Sequence, residues 1–221
     1  MPPLHRHQLA RLSREGWQRV RQRPWDATAA ECLAHWASHD LPLVVTRQLP
    51  EVRAAGGISL GLPAPGRWER RRLALAVSRH DVSWFDEFPR AEQIRTLLPS
   101  RARREWQHLC AALTRCGALA RVHGSHGWQR ITGLDHLRLG SDIDLCIHVR
   151  QADHADEVVA LLQAFARRQP RLDGELVFPD GGAVAWREWL AWRAGLSRHV
   201  LVKRLEGCSL RSDLVGMEVA A

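Results

Sequence analysis

The chain has 221 residues, enough for one or two domains of ordinary size with a substantial core. Lysine and arginine number 32 against 24 acidic residues, so the formal net charge is +8, and Lys203 is the only lysine. An excess made of arginine favours an anionic partner, because the planar guanidinium group matches phosphate and carboxylate. Nucleic acid, a phosphorylated cofactor and an acidic carrier protein all fit that description.

The composition also excludes several classes of protein. No apolar run approaches the roughly eighteen residues of a membrane helix, and no apolar stretch follows the basic N-terminus as in a secretory signal. The five cysteines are irregularly spaced and contain no Cys-x-x-Cys pair. That pattern is typical of reduced thiols, and it argues against a disulfide framework or a zinc knuckle. We therefore expect a cytoplasmic protein that does not enter a membrane.

The first part of the chain has the pattern of a small α/β module. A helix is expected from a Thr28–Glu31 capping box to about Ser38, followed by a strand over 41–46. Glycines and prolines between 56 and 66 predict turns, since neither common phosphate-binding glycine motif is present. Residues 70–78 alternate between apolar and polar side chains, which predicts another strand.

A stretch that contains Pro89 is the best candidate for a boundary between a domain at 1–88 and a second domain at 89–221. The second domain is expected to begin with a long helix that is capped by Ser100 and stopped by Gly117. Four apolar residues share one face of that helix: Trp106, Leu109, Cys110 and Leu113. The elements predicted after it are strands over 118–123 and 141–145, a helix over 155–168 ended by Pro170, a strand over 175–178, a helix over 184–194, and a hairpin formed by 199–205 and 209–214.

Two carboxylates occupy the strand predicted at 141–145. Successive side chains of a strand point to opposite faces, so Asp142 and Asp144 share one face while Ile143 and Leu145 can anchor the other face on a core. Carboxylates side by side repel each other unless a cation lies between them. Mg²⁺ takes carboxylate oxygens and substrate phosphates together, so this pair is a candidate magnesium site.

A Gly-Ser turn at Gly124 and Ser125 precedes the acidic strand. Glycine has no Cβ, so a phosphate can approach the backbone closely, and the amides and the Ser125 hydroxyl can donate hydrogen bonds to it. A phosphate-binding turn followed by Asp-x-Asp is typical of metal-assisted transfer from a triphosphate. A serine hydrolase is not indicated, because the local sequence lacks the first glycine of Gly-x-Ser-x-Gly.

These motifs resemble the signature of the nucleotidyltransferase superfamily of the DNA polymerase β type. The matching residues are His123-Gly124-Ser125 and Asp142-Ile143-Asp144-Leu145. The chain is also similar to a narrower family, the holo-acyl-carrier-protein synthases of malonate decarboxylase, which are also called phosphoribosyl-dephospho-CoA transferases. Further segments support that similarity: Arg79–Asp81, Trp128-Gln129, Thr132-Gly133-Leu134, Ser141, Asp173–Leu176, Ala183–Glu188 and Val200–Lys203.

The resemblance implies a fold and a reaction. The expected fold is α/β, with a small N-terminal domain before a nucleotidyltransferase-like domain that has a mixed or antiparallel sheet. The expected reaction moves a phosphoribosyl-dephospho-CoA group from triphosphoribosyl-dephospho-CoA to a serine of the acyl carrier protein subunit of malonate decarboxylase, with release of pyrophosphate. Asp142 and Asp144 would hold Mg²⁺, and a third carboxylate, Asp173 or Glu175, would act as a base. The substrate-binding residues would be Gly124, Ser125, Trp128, Thr132, Ser141 and Lys203.

Several alternatives stay open at this point. The chain could be an ordinary nucleotidyltransferase that uses ATP or CTP on RNA, a protein or a small molecule. It could instead be a nucleic-acid-binding module with an inactive site, although the intact Gly-Ser and Asp-x-Asp motifs make nucleic acid the less favoured partner. Lys203 fits a phosphate contact and a solvated strand-edge position equally well, and the sequence does not choose between Asp173 and Glu175.

Overall fold

The structure is a computed structural model that describes residues 3–166 and 171–213. It consists of two compact units. The first contains residues up to Phe88 together with Ile131–His136 and Leu205–Gly207, and the second contains Pro89–Arg130, Leu137–Arg204 and the chain from Cys208. Within the described residues, none of the helices is both long enough and apolar enough to cross a membrane.

The first unit is built on a five-stranded sheet in which every neighbouring pair of strands is antiparallel, in the order β4-β3-β2-β1-β5. Its elements are β1 (Leu9–Leu12), α1 (Arg14–Arg21), α2 (Ala27–Ser38), β2 (Leu43–Val45), α3 (Pro50–Ala54), β3 (Gly57–Pro63), β4 (Arg72–Ser78) and β5 (Val82–Asp86). Short 3₁₀ turns occupy Gly66–Trp68 and Arg79–Asp81.

Two sequence expectations for this unit are wrong in detail. The cap of α2 is Asp26, whose side chain accepts a hydrogen bond from the Ala29 N–H at 3.1 Å, so the helix begins one residue before Thr28. The glycine-rich stretch contains the seven-residue strand β3, which pairs with β2 and β4. Its alternating apolar side chains, Ile58, Leu60 and Leu62, are buried, and this burial outweighs the turn preference of the neighbouring glycines.

The second unit is built on a six-stranded sheet in the order β11-β10-β9-β8-β7-β6. Only β7 and β8 run parallel, so the sheet is mixed, as predicted. Its elements are α4 (Ser100–Arg115), β6 (Leu119–Val122), α5 (Gly124–Thr132), β7 (Ile143–His148), α6 (Ala152–Ala166), β8 (Leu172–Val177), β9 (Ala183–Ala185), α7 (Trp186–Arg193), β10 (Val200–Lys203) and β11 (Cys208–Arg211). The helix α6 makes the crossover that two sequential parallel strands require.

One core joins the sheet of the second unit to α4, α6 and α7. The predicted apolar face of α4 is confirmed, because Trp106, Leu109, Cys110 and Leu113 are all buried. Gly117 follows the end of α4 with a positive φ of 77°, as expected of a helix stop. Burial of these side chains, and not the helix propensity of this arginine-rich segment, holds α4 in place.

The structure corrects two boundaries in this unit. Ser100 is the first residue of α4 and not its cap, because Pro99 occupies the cap position and makes no side-chain hydrogen bond there. The helix predicted over 184–194 begins at Trp186, since Ala183–Ala185 pair with β8 as a strand. Arg168, Pro170 and Leu214, which belonged to predicted elements, lie outside the described residues.

Candidate active site

The strand β7 fixes the Asp-x-Asp pair. Ile143, Leu145 and Ile147 are at most 1% exposed and anchor one face of the strand in the core. Asp144 lies on the opposite face, and Asp142 immediately precedes the strand. The alternation expected for Ile143, Asp144 and Leu145 is therefore confirmed, whereas the strand begins at Ile143 and not at Ser141, so Asp142 lies just before it.

The Gly-Ser motif lies directly against Asp144. The N–H of His123 donates to the backbone oxygen of Asp144 at 2.9 Å, and Gly124 and Ser125 then open α5. Gly124 has a φ of +57°, and a Cβ built on it would overlap the Oδ2 atom of Asp144 and would lie 2.7 Å from its Cγ. Only glycine fits this position, for reasons both of backbone conformation and of space. The motif is the first turn of a helix and not a free turn.

A buried histidine ties the helix to the other carboxylate. The Nδ1 atom of His126 lies 3.0 Å from the backbone oxygen of Asp142, which fits a ring that donates from Nδ1. Burial lowers the pKa of His126, and the hydrogen bond and charge of Asp142 oppose that shift. The neutral ring therefore positions the backbone of Asp142.

The parallel strand β8 brings a third carboxylate to the pair. Asp173 lies opposite Asp144 in the register, whereas Glu175 lies opposite Cys146. One oxygen of Asp173 accepts a hydrogen bond from the Gly174 N–H at 2.9 Å. Asp144, Asp142 and Asp173 therefore converge where α5 begins.

Glu175 has a different environment. It is buried, and its Oε1 atom accepts a hydrogen bond from the Nζ atom of Lys203 at 2.7 Å. Lys203 reaches it from β10. The sequence left Asp173 and Glu175 equal, but the structure gives Glu175 a cationic partner and places Asp173 beside Asp144.

The negative charges of the neighbouring carboxylates disfavour the ionised form of Asp144. Burial raises the pKa of Asp144 to about 6, and the charges of Asp173, Asp142 and Glu175 add to that shift in this order. Lys203 pairs with Glu175 at 2.7 Å, and the Nε atom of Arg171 lies 3.8 Å from Oδ2 of Asp142. This cluster is therefore suited to binding a cation.

Comparison with known proteins identifies the family of the chain. The family model described as the phosphoribosyl-dephospho-CoA transferase MdcG C-terminal domain matches residues 88–214, and the model of the MdcG N-terminal domain matches residues 5–88. The chain belongs to the phosphoribosyl-dephospho-CoA transferase family.

Similar proteins carry the same name. A phosphoribosyl-dephospho-CoA transferase of Bradyrhizobium diazoefficiens is 35% identical over 209 residues, which cover 92% of this chain and 88% of that protein. One from Xanthomonas campestris pv. campestris is 34% identical over 179 residues, covering 80% of this chain and 82% of its own. One from Pseudomonas fluorescens is 31% identical over 199 residues, which cover 86% of this chain and 90% of that protein. No solved structure matches the chain.

The other substrate-binding candidates have different environments. Trp128 is 4% exposed, which leaves little of its ring for a ligand. The Thr132 hydroxyl accepts from the Leu134 N–H at 3.1 Å at the end of α5, and the Ser141 hydroxyl accepts from the Arg138 N–H at 2.8 Å just before Asp142. Each of these two hydroxyls therefore supports a local turn of the backbone.

Arg171 is a site residue that the sequence analysis missed. It lies two residues before Asp173 at the start of β8, where its carbonyl accepts from the Ile143 N–H at 2.9 Å. Its side chain is 63% exposed and extends toward Asp142. In a chain so rich in arginine, only its position next to a candidate carboxylate could have singled it out.

The donor set suits magnesium better than a metal held by protein alone. Within residues 3–166 and 171–213, no group of three or more His, Cys, Asp or Glu side chains is arranged as a ready metal cage. Mg²⁺ usually binds one or two carboxylates and completes its shell with water and substrate phosphates. Asp142 and Asp144, with the raised pKa of Asp144, fit that role.

Proposed function

We propose that the protein transfers the 2′-(5″-phosphoribosyl)-3′-dephospho-CoA group from 2′-(5″-triphosphoribosyl)-3′-dephospho-CoA to a serine of the apo acyl carrier protein subunit of malonate decarboxylase, with release of pyrophosphate. The observation that carries the proposal is the approach of Gly124 to Asp144 in a chain of the phosphoribosyl-dephospho-CoA transferase family. This approach places the start of a helix that can bind phosphate next to the carboxylate cluster, as in a nucleotidyltransferase-like domain.

The start of α5 holds the triphosphate of the donor. The first N–H groups of a helix lack partners within the helix and carry partial positive charge. Ser125 is half-buried in this first turn, and among the residues that the structure describes its hydroxyl has no hydrogen-bond partner. The hydroxyl and the amides therefore donate hydrogen bonds to phosphate oxygens, and Gly124 leaves room for them.

Asp142 and Asp144 hold the magnesium ion. When bound, Mg²⁺ neutralises negative charge on the phosphates and on the attacking and leaving oxygens. The protein contributes a buried, pre-formed pair of carboxylates, and His126 keeps the backbone of Asp142 in place. Arg171 adds an exposed positive charge beside them.

Asp173 removes the proton from the attacking serine. The hydroxyl oxygen of the carrier serine forms a bond to the phosphorus nearest the ribose, while the bond from that phosphorus to the pyrophosphate oxygen breaks. The hydroxyl proton passes to a carboxylate of the site. Asp173 fits this role better than Glu175, because the charge of Glu175 is already matched by Lys203 at 2.7 Å. The result is a phosphodiester with no covalent enzyme intermediate.

The test compares donors and acceptors. The protein is mixed with apo carrier protein and with triphosphoribosyl-dephospho-CoA, ATP or CTP, and pyrophosphate release and the mass of the carrier are measured. We expect stoichiometric pyrophosphate and a carrier heavier by the prosthetic group with the first donor alone. Equal release from ATP or CTP without the carrier would support an ordinary nucleotidyltransferase. Tight binding to RNA or DNA with no release would support a nucleic-acid-binding module.

A further inference from the structure

A cleft of about 360 Å³ opens beside the carboxylates, entirely within the second unit. That volume is in the range of pockets that bind small molecules. Apolar side chains and two arginines supply most of its lining: Leu97, Pro99, Leu137, Leu139, Arg101 and Arg138. We call it the Arg101–Arg138 cleft.

Two residues that line the Arg101–Arg138 cleft adjoin Asp142 of the candidate active site. His126, which also lines it, binds the backbone oxygen of Asp142 at 3.0 Å. Ser141, another lining residue, is the residue before Asp142. The lining of the cleft and the backbone that carries the proposed magnesium site therefore share His126 and Ser141.

The loop that forms one wall is held in a defined shape. The Arg138 N–H donates to the Ser141 hydroxyl at 2.8 Å, and the Ser141 N–H donates to the Arg138 backbone oxygen at 3.0 Å. Gly140 between them takes a positive φ of 80°. This turn leaves Leu139 fully exposed at the cleft. The Leu139 side chain is therefore accessible to an apolar part of an occupant of the cleft.

The charge of the cleft is positive. Arg101 and Arg138 are exposed, and neither forms an ion pair within the described part of the chain. Arg101 lies in the first turn of α4, and that turn contains no acidic residue. An occupant should therefore carry negative charge along with a flexible apolar portion.

We propose that the Arg101–Arg138 cleft binds the dephospho-CoA part of the donor. The diphosphate lies against the two arginines and the pantetheine arm lies along the leucine wall, which leaves the triphosphate to the start of α5. This inference rests on the proposed function, because it divides one donor between two adjoining surfaces. It assigns substrate specificity to side chains outside the Gly-Ser and Asp-x-Asp motifs.

The test measures binding of dephospho-CoA itself, by titration calorimetry, with no carrier protein and no turnover. Arg101→Ala/Arg138→Ala should raise the Kd about tenfold or more, since each arginine loses charge-assisted hydrogen bonds to the diphosphate. The matched control is Arg104→Ala/Arg115→Ala, which removes two exposed arginines of α4 that lie outside the cleft, and its Kd should equal that of the wild type. Leu139→Asp alters the exposed wall without touching the core, and it should also weaken binding.

Three results would overturn the assignment. The first is no binding of dephospho-CoA to the wild type at millimolar concentration, or equal weakening in the cleft and control variants. The second is weaker binding of inorganic tripolyphosphate, but not of dephospho-CoA, to the cleft variant, which would assign the arginines to the triphosphate. The third is a cleft variant in which only the KM for the carrier protein rises, while binding of dephospho-CoA is unchanged. If dephospho-CoA binding depends on the cleft but the wild type transfers nothing to the carrier, the proposed function fails and the cleft assignment stands.

Discussion

Replacing Asp144 by asparagine should stabilise the metal-free protein at neutral pH while abolishing transfer. Burial and the neighbouring carboxylates raise the pKa of Asp144 from an ordinary value of 3.8 to about 6. Because the folded state holds this proton more tightly than the unfolded state, the stability attached to it is complete below pH 3.8 and is lost as the pH rises through 6. At about 1.36 kcal/mol per unit, the ionised carboxylate costs up to about 3 kcal/mol above pH 6.

The assay is urea unfolding followed by tryptophan fluorescence between pH 4 and pH 8, with magnesium chelated. An asparagine side chain cannot ionise, so the free energy of unfolding of Asp144→Asn should exceed that of the wild type by up to about 3 kcal/mol at pH 8, and the gap should close toward pH 4. Asp153→Asn, in the first turn of α6 and away from the carboxylate cluster, is the matched control and should show no such gap. Saturating Mg²⁺ should stabilise the wild type and leave Asp144→Asn unaffected. A gap that is the same at every pH, or a variant that is active in Mg²⁺, would refute this reasoning.

Three further predictions concern the same site. Gly124→Ala should abolish activity, because the new Cβ would overlap Asp144. The control is Gly133→Ala, which has a φ of +70° and nothing within 4 Å of its Cβ, so this variant should carry only backbone strain and stay active. Equal losses of activity in the two variants would contradict the steric explanation. Ser125→Ala should lower the transfer rate about tenfold to a hundredfold, the effect of one charge-assisted hydrogen bond, and mass spectrometry with the donor alone should find no adduct on the enzyme. The KM for the carrier protein should rise with salt if arginines steer an acidic partner, and a flat KM would make the arginine excess compositional.

The sequence predicted the parts of the fold that depend on local pattern. The apolar face of α4 and the alternation along β7 are set by burial that recurs at helical or strand spacing, so both could be read directly. The strand β3 could not, because its glycines carry a turn preference while its role depends on pairing with β2 and β4. The cap position of α4 was also not predicted correctly. Pro99 occupies it, and the chain reaches Pro99 from a 3₁₀ turn at Ala91–Leu97.

The candidate site shows the same division between local and long-range information. The place of Asp144 opposite the buried face of β7 could be assigned from spacing alone, whereas Asp142 lies just before the strand, where His126 contacts its backbone. The close approach of Gly124 to Asp144 depends on the antiparallel pairing of β6 with β7, which no spacing in the sequence reveals. The contribution of Arg171 likewise depends on where β8 begins.

The third carboxylate, Asp173 or Glu175, could not be assigned without the three-dimensional structure. The two residues are two apart on one strand, so their side chains share a face and the sequence treats them alike. The parallel register places Asp173 opposite Asp144, and a lysine from β10, 28 residues later in the chain, reaches Glu175. A buried carboxylate that already has an ammonium partner is a poor base, because that partner favours its charged form. The only lysine in the chain already pairs with Glu175, and this supports our proposal that Asp173, beside Asp144, is the base.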